Sequence, residues 1–333
     1  MEAFIDDQQR HLESCHSFKK MEMTAKAALL TALSTAKVQE RTFICSDGLR
    51  LASQWYPPSA LTKRRILLLH GWMDNCRSFW KLAPSLHTPD TELVAMDFPG
   101  HGKSQHKSKD GPPLLLAEGA YYVGEVLHQL GWTNDTTLIG HSMGAAIALT
   151  YAAAFPDQIH KLVLLEGAGP LSRDAQDVAH HVRRHVQRRL EGIIKPPRTY
   201  PSIEKAAETR QTTATLSPGN QYLSKEAALE LVMWAMKETP DGGFAFQHDP
   251  RLQWPSLLYM THDQVEALQC AVQCPTALLL AQDGWPFDET QREGVLQRLR
   301  PILYDTLPGS HHFHADPDQA DEVARRVEQF LTE

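Results

Sequence analysis

The sequence predicts an α/β fold: a mostly parallel central sheet flanked by helices, interrupted by a helical insertion. Two observations carry that reading. Short apolar runs alternate with segments of helical spacing from Arg41 onward, and such alternation builds parallel sheets covered on both faces. The alternation lapses between Pro170 and about Leu258 and then resumes.

The elements follow in order. Arg41–Cys45 and Leu49–Trp55 flank Ser46-Asp47-Gly48, an Asp-Gly turn signal that predicts a β-hairpin. Arg65–His70 and Glu92–Asp97 are continuous apolar runs, as strands buried on both faces require. Leu115–Leu130 has helical spacing and stops at Gly131. Thr136–Ile139 is a strand, Ser142–Phe155 a helix and Leu162–Leu165 a strand. The stretch from Pro170 to about Leu258 is polar and helical, broken by Pro196-Pro197, Pro201, Ser217-Pro218-Gly219 and Asp241-Gly242-Gly243. Beyond it come a helix at His262–Val272, a strand at Pro275–Ala281, a helix near Thr290–Leu299, a strand at Ile302–Leu307 and a last helix at Ala320–Leu331. Ahead of Arg41, residues 1–40 read as an extension. Met1–Lys20 is polar and lacks the apolar core of a secretory signal, and Ala25–Lys37 has the composition of one amphipathic helix.

Composition removes several function classes. The 333 residues carry 33 Lys+Arg against 40 Asp+Glu, a net charge of −7, which opposes nucleic-acid binding because phosphate contacts need a basic surface. No apolar run is long enough for a membrane span. The five cysteines, Cys15, Cys45, Cys76, Cys270 and Cys274, are scattered and odd in number, so free thiols in a reducing, cytoplasmic setting are expected. An organellar address in the extension is the alternative, opposed by Asp6, Asp7, Glu13 and Glu22. The oligomeric state is left open.

The chemistry concentrates in Gly140-His141-Ser142-Met143-Gly144, of the form Gly-x-Ser-x-Gly, set between a short β-run and an Ala-rich helix. A sharp strand-to-helix turn strains the serine backbone and presents its hydroxyl at a helix N-terminus, where partial positive charge favours a developing anion. A serine there is otherwise a helix cap. In a nucleophile elbow the oxyanion hole uses the N–H after the nucleophile and one from the loop after an upstream strand. Those are the backbone N–H groups of Met143 and of Trp72 in His70-Gly71-Trp72; His70 itself braces the loop.

Together with Asp97-Phe98-Pro99-Gly100-His101-Gly102-Lys103-Ser104, these motifs resemble the α/β-hydrolase superfamily. Within it the chain most resembles the serine hydrolase-like branch. That likeness extends to Leu164-Leu165-Glu166-Gly167-Ala168-Gly169-Pro170, His248-Asp249-Pro250-Arg251-Leu252 and Pro308-Gly309-Ser310-His311-His312. The resemblance implies the chain order serine, acid, histidine. Ser142 is then the nucleophile, Asp283 in Gln282-Asp283-Gly284 the expected acid, and His311, after the Gly-Ser pair, the base. Glu166 is the rival acid, since some superfamily members place theirs at the end of that strand. The resemblance also makes residues 171–258 a cap between core segments 41–170 and 259–333. Met233, Trp234, Met236, Trp254, Leu258 and Tyr259 would line its pocket or pack its core.

The implied activity is cleavage of a small to medium apolar carboxylic ester with water, through an acyl-enzyme and without a cofactor. A carbon–carbon bond hydrolase, a thioesterase and a non-catalytic binding relative are the alternatives. No metal is called for: His311, His312 and His314 cluster, but no Cys or carboxylate stands at ligand spacing beside them. His181 and His185 have the spacing of a zinc pair without a third ligand. Cys270 and Cys274 read as buried thiols, and the basic run Arg183–Arg189 as a solvated cap helix.

Overall fold

The computed structural model describes residues 38–191 and 197–333; the helix expected over Ala25–Lys37 lies outside the described residues. The hairpin forms as its turn chemistry dictates. Strand β1 (Gln39–Ile44) pairs antiparallel with β2 (Arg50–Tyr56), and the Asp47 side chain accepts from Leu49 N at 3.0 Å to close the turn. Next come β3 (Arg64–Leu69), α1 (Leu82–Leu86), β4 (Thr91–Met96), α2 (Leu116–Leu130), β5 (Thr136–His141), α3 (Met143–Ala154) and β6 (Ile159–Leu165). After the insertion the core resumes with α7 (His262–Ala271), β10 (Thr276–Asp283), α8 (Glu289–Leu299), β11 (Leu303–Ser310) and α9 (Ala320–Thr332).

These strands form one sheet in the order β1-β2-β4-β3-β5-β6-β10-β11. Pairing is antiparallel from β1 to β4 and parallel from β4 to β11. The apolar runs are continuous because the sheet is buried on both sides. Leu67, Leu69, Leu138, Leu162 and Leu164 pack on one face with α2 and α3. Their neighbours Ile66, Leu68, Ile139, Val163 and Leu165 pack on the other with α1 and α9. The chain steps from β3 to β4 on one side and to β5 on the other. In an open α/β sheet, the crevice beyond the strand ends at such a reversal is where ligands bind. The ends of β3 and β5 are His70-Gly71-Trp72 and Ser142.

The insertion is not wholly helical. It holds α4 (Val178–Leu190), α5 (Ile203–Ala214) and α6 (Lys225–Ala235), and also a small antiparallel sheet of β7 (Thr199–Tyr200), β8 (Met236–Glu238) and β9 (Phe244–Phe246). The Gly-rich break at Asp241-Gly242-Gly243, read from sequence as a loop, is the turn between β8 and β9. Its neck is closed by a bridge between Ser172 and Met260, with Arg173 N donating to Met260 O at 3.0 Å. Inside, Tyr200, Ala206, Leu223, Ala227, Leu231, Val232 and Met236 form a separate apolar cluster.

Two buried carboxylates seat this insertion on the core. Asp97, at the end of β4, accepts from Cys76 N at 2.7 Å, Lys103 N at 2.9 Å and Trp234 Nε1 at 2.7 Å. Trp234, expected at the substrate pocket or in the cap core, is thus a fastening between α6 and β4. Lys103 Nζ lies 3.6 Å from the centroid of that indole, adding a cation–π contact. Asp249 pairs with Arg251 at 2.7 Å, and the Arg251 guanidinium also donates to the carbonyls of Lys107 and Ser108, both at 2.7 Å. The segment His248–Leu252 that marked the branch resemblance is therefore a clasp on the loop after β4.

Removing the Asp97 carboxylate leaves three donors without an acceptor in a dry interior, each costing about 1–3 kcal/mol with incomplete additivity. Asp97→Ala is expected to lose roughly 3–5 kcal/mol of stability in chemical denaturation. A loss below about 1 kcal/mol would mean that water takes over its hydrogen bonds.

Candidate active site

Strand β5 runs straight into α3 with no loop between them, and Ser142 absorbs the reversal. Its φ of 52° and ψ of −113° are a strained conformation for a residue with a side chain. The backbone is held there by Ser142 N donating to Leu165 O at 2.9 Å. Gly144 has to be glycine, because a Cβ would sit 1.9 Å from Leu69 O on the adjacent strand. Ser142 keeps partial solvent exposure at the N-terminus of α3, whereas His141 and Gly144 on either side are buried.

The carboxylate beside the candidate base is Glu166. Glu166 Oε2 accepts from His311 Nδ1 at 2.9 Å and from Trp285 N at 2.9 Å, while Oε1 accepts from Ala281 N at 2.6 Å. Glu166 is buried and has a φ of 54°, so it too is strained. Gly284 makes room for it: a Cβ there would meet Glu166 Oε2 at 2.2 Å. Asp283, the expected acid, is not brought to the imidazole. It ends β10 in register with Ser310, is partly exposed, and makes no hydrogen bond through its carboxylate among the described residues. The Asp-Gly pair meets the imidazole's partner through its glycine, which makes room for Glu166. Glu166-Gly167 likewise follows a buried strand, so neighbouring residues do not separate the two carboxylates.

With Nδ1–H directed at Glu166, the neutral His311 ring presents Nε2 as a lone pair. Its backbone is fixed by the motif itself, since His141 Nε2 donates to His311 O at 2.8 Å. Ser142 Oγ forms no hydrogen bond with His311 among the described residues.

The two expected oxyanion donors follow neighbouring strands, since Leu69 of β3 pairs with Gly140 of β5. The backbone N–H groups of Trp72 and Met143 donate to no acceptor among the described residues, so both are free for a ligand. The loop is braced as expected of His70, whose Nδ1 donates to Gly71 O at 2.7 Å while Nε2 accepts from Phe98 N at 3.0 Å. Burial holds the His70 imidazole below its usual range, which suits a neutral brace. At the rim the Trp72 and Trp285 side chains are 53% and 42% exposed, large apolar surfaces left open beside the site.

A second buried cluster lies directly behind. His312 Nε2 is 2.9 Å from Asp74 Oδ2, and the Arg210 guanidinium from α5 holds Asp74 Oδ1 at 2.6 Å. Burial pushes the Asp74 carboxyl up, but His312 and Arg210 outweigh it and hold it well below the usual carboxylate range. Burial pushes His141, His312 and His314 down, while the Asp74 carboxylate pulls each of them the other way. Elsewhere, His181 packs against Tyr259 and His185 faces Pro255 O at 2.9 Å, so the two are not a zinc pair. All of α4 except His185 lacks full burial, in keeping with a solvated basic helix. Cys270 is exposed and not buried as expected, and Cys45, Cys76, Cys270 and Cys274 are all free thiols.

The His311 Nδ1–H proton should give a low-field NMR resonance. That resonance is expected to vanish in Glu166→Ala and in Gly284→Ala, which pushes the carboxylate aside, and to persist in Asp283→Ala. Its loss in the last variant alone would return the pairing to Asp283.

The family model for the alpha/beta hydrolase fold matches residues 64–314. A probable serine hydrolase of Drosophila melanogaster is 30% identical over 278 residues, covering 81% of this chain and 82% of that protein. A serine hydrolase-like protein of Danio rerio is 32% identical over 281 residues, covering 80% and 81% respectively. Among solved structures, a hypothetical protein from Pseudomonas aeruginosa PAO1 is 33% identical with a TM-score of 0.79, covering 89% of this chain and 100% of that one. The sheet order, the strained serine and these likenesses agree: the chain belongs to the α/β-hydrolase superfamily, in its serine hydrolase-like branch.

Proposed function

We propose that this hydrolase cleaves a small to medium apolar carboxylic ester through Ser142, His311 and Glu166. The observation that carries the reading is the His311 imidazole, held by Glu166 on Nδ1 and by His141 on its backbone, with its ring 4.6 Å from that of His141, the neighbour of the strained serine in the chain. The bound carbonyl carbon is attacked by Ser142 Oγ as His311 Nε2 takes the hydroxyl proton. Glu166 accepts from Nδ1–H, fixes the tautomer and stabilises the imidazolium that forms. Negative charge moves to the carbonyl oxygen and is met by the N–H groups of Trp72 and Met143, worth roughly 3 kcal/mol per donor. Collapse of the adduct breaks the ester C–O bond, and His311 gives its proton to the leaving alcohol. Water then repeats the sequence on the acyl-enzyme, with His311 as base, and releases the acid with Ser142 regenerated.

The open link between Ser142 and His311 accords with this chemistry, because catalytic hydrogen bonds commonly tighten only on substrate binding. The indoles of Trp72 and Trp285 support an apolar substrate: Trp285 lies 6.2 Å from the His311 ring, centroid to centroid, and both side chains are exposed. Segment 171–258 acts as the cap, closing over the nucleophile from the clasps at Asp97 and Asp249.

A fluorophosphonate probe is expected to label the wild type and not Ser142→Ala; absence of labelling on the folded wild type would refute a serine nucleophile. On p-nitrophenyl esters of graded acyl length, Glu166→Gln should lose roughly three to four orders of magnitude in kcat, by analogy with other triads whose acid is amidated. Asp283→Asn should stay within about threefold of wild type. The reverse pattern would make Asp283 the acid, and preference for thioester over ester controls would move the substrate class.

A further inference from the structure

We propose that Asp74, His141 and His312 form a binding site for one divalent transition metal of the zinc type, joining three loops behind the catalytic centre. The proposal goes beyond ester cleavage and does not depend on it. The three residues come from the loop after β3, the end of β5 and the loop after β11, and each offers one ligand atom within 4.8 Å of the others. Asp74 Oδ2 is 2.9 Å from His312 Nε2 and 3.7 Å from His141 Nδ1. Ligand atoms about 2.0–2.1 Å from a tetrahedral zinc lie roughly 3.3 Å from one another, which falls between those separations.

The state of the His141 ring points to a cation. His141 is fully buried, and its Nδ1 has no hydrogen-bond partner in the structure, an uncommon condition for a buried nitrogen. Its Nε2–H donates to the His311 carbonyl at 2.8 Å, so the lone pair on Nδ1 faces Asp74. An imidazole whose second nitrogen donates to a backbone carbonyl is the usual arrangement behind a metal-bound histidine. Gly71 packs tightly against both donors: a Cβ there would lie 2.9 Å from His141 Nδ1 and 3.0 Å from Asp74 Oδ2, so glycine lets the loop after β3 close on them. Two imidazoles and one carboxylate suit zinc, cobalt or copper better than the all-oxygen ions calcium and magnesium.

Binding needs only one rearrangement. His312 moves its ring hydrogen from Nε2 to Nδ1, Nε2 becomes a ligand, and the hydrogen bond to Asp74 is replaced by two bonds to the metal. Arg210 holds the other carboxylate oxygen, Oδ1, so Oδ2 stays available. The metal would then tie the oxyanion loop, the elbow and the histidine loop into one unit.

The test uses the full chain, stripped of metal with a chelator and titrated with Co2+. One equivalent should bind with the intense visible absorption of tetrahedral cobalt, be displaced by Zn2+, and raise the thermal midpoint as Zn2+ increases. Asp74→Asn and His312→Gln should each weaken Co2+ at least tenfold, while His181→Asn in the insertion should bind as the wild type does. His312→Gln leaves the Asp74–Arg210 pair in place, so it decides the matter even if the Asp74 variant does not fold. Failure of the folded wild type to take up Co2+, uptake unchanged in His312→Gln, or uptake abolished by His181→Asn would each overturn the site.

Discussion

A buried carboxylate with no Lys or Arg in its hydrogen-bond shell among the described residues organises this molecule's functional end. Glu166 accepts hydrogen bonds from the backbone of Ala281, the backbone of Trp285 and the His311 ring. Those donors belong to the end of β10, the loop after it and the loop after β11. A carboxylate taken from water is costly, and here the cost is offset by three charge-assisted hydrogen bonds, two of them from rigid backbone. The strained φ of Glu166 and the bare Cα of Gly284 are the local consequences. If that carboxylate turned away, the imidazole would lose its tautomer and the β10 and β11 ends their shared anchor.

The same device recurs around the site. Asp97 gathers the loop after β3, the loop after β4 and the indole of α6. Asp249 and Arg251 clamp the end of the insertion to the loop after β4. Asp74 gathers the histidine loop and, through Arg210, α5. Each carboxylate is satisfied by groups distant in sequence, so the loops above the sheet are fixed to one another as firmly as the strands below them. The insertion is thereby attached at the loop after β3, where Asn75 Nδ2 donates to Leu231 O at 2.9 Å and Arg77 pairs with Glu230.

Much of the core was legible because its determinants are local. An Asp-Gly turn between short β-runs specifies a hairpin, a continuous run such as Arg65–His70 specifies a strand buried on both faces, and Gly-x-Ser-x-Gly between strand and helix specifies a turn that few other residues permit. The insertion was read less well. Its strands are two or three residues long, too short for alternation to show, and its breaks look like loops whether or not a hairpin joins them. Trp234 was legible as a large apolar residue, but not as a hydrogen-bond donor to Asp97, whose identity depends on a partner far away in sequence.

The sequence by itself determined the sheet-and-helix alternation, the place of the insertion, the nucleophile elbow and the histidine loop, because each rests on periodicity or on backbone conformations within a few residues. Only the tertiary structure decided which carboxylate meets His311. Asp283 and Glu166 both end buried parallel strands, and neighbouring residues describe both equally well. Burial of one and partial exposure of the other arise from how β6 and β10 lie side by side and from the space above Gly284. The meeting of Asp74, His141 and His312 was decided there too. The sheet sets β3 beside β5, whereas β11 stands at the far edge and only the loop after it reaches them, and no spacing along the chain records such a meeting.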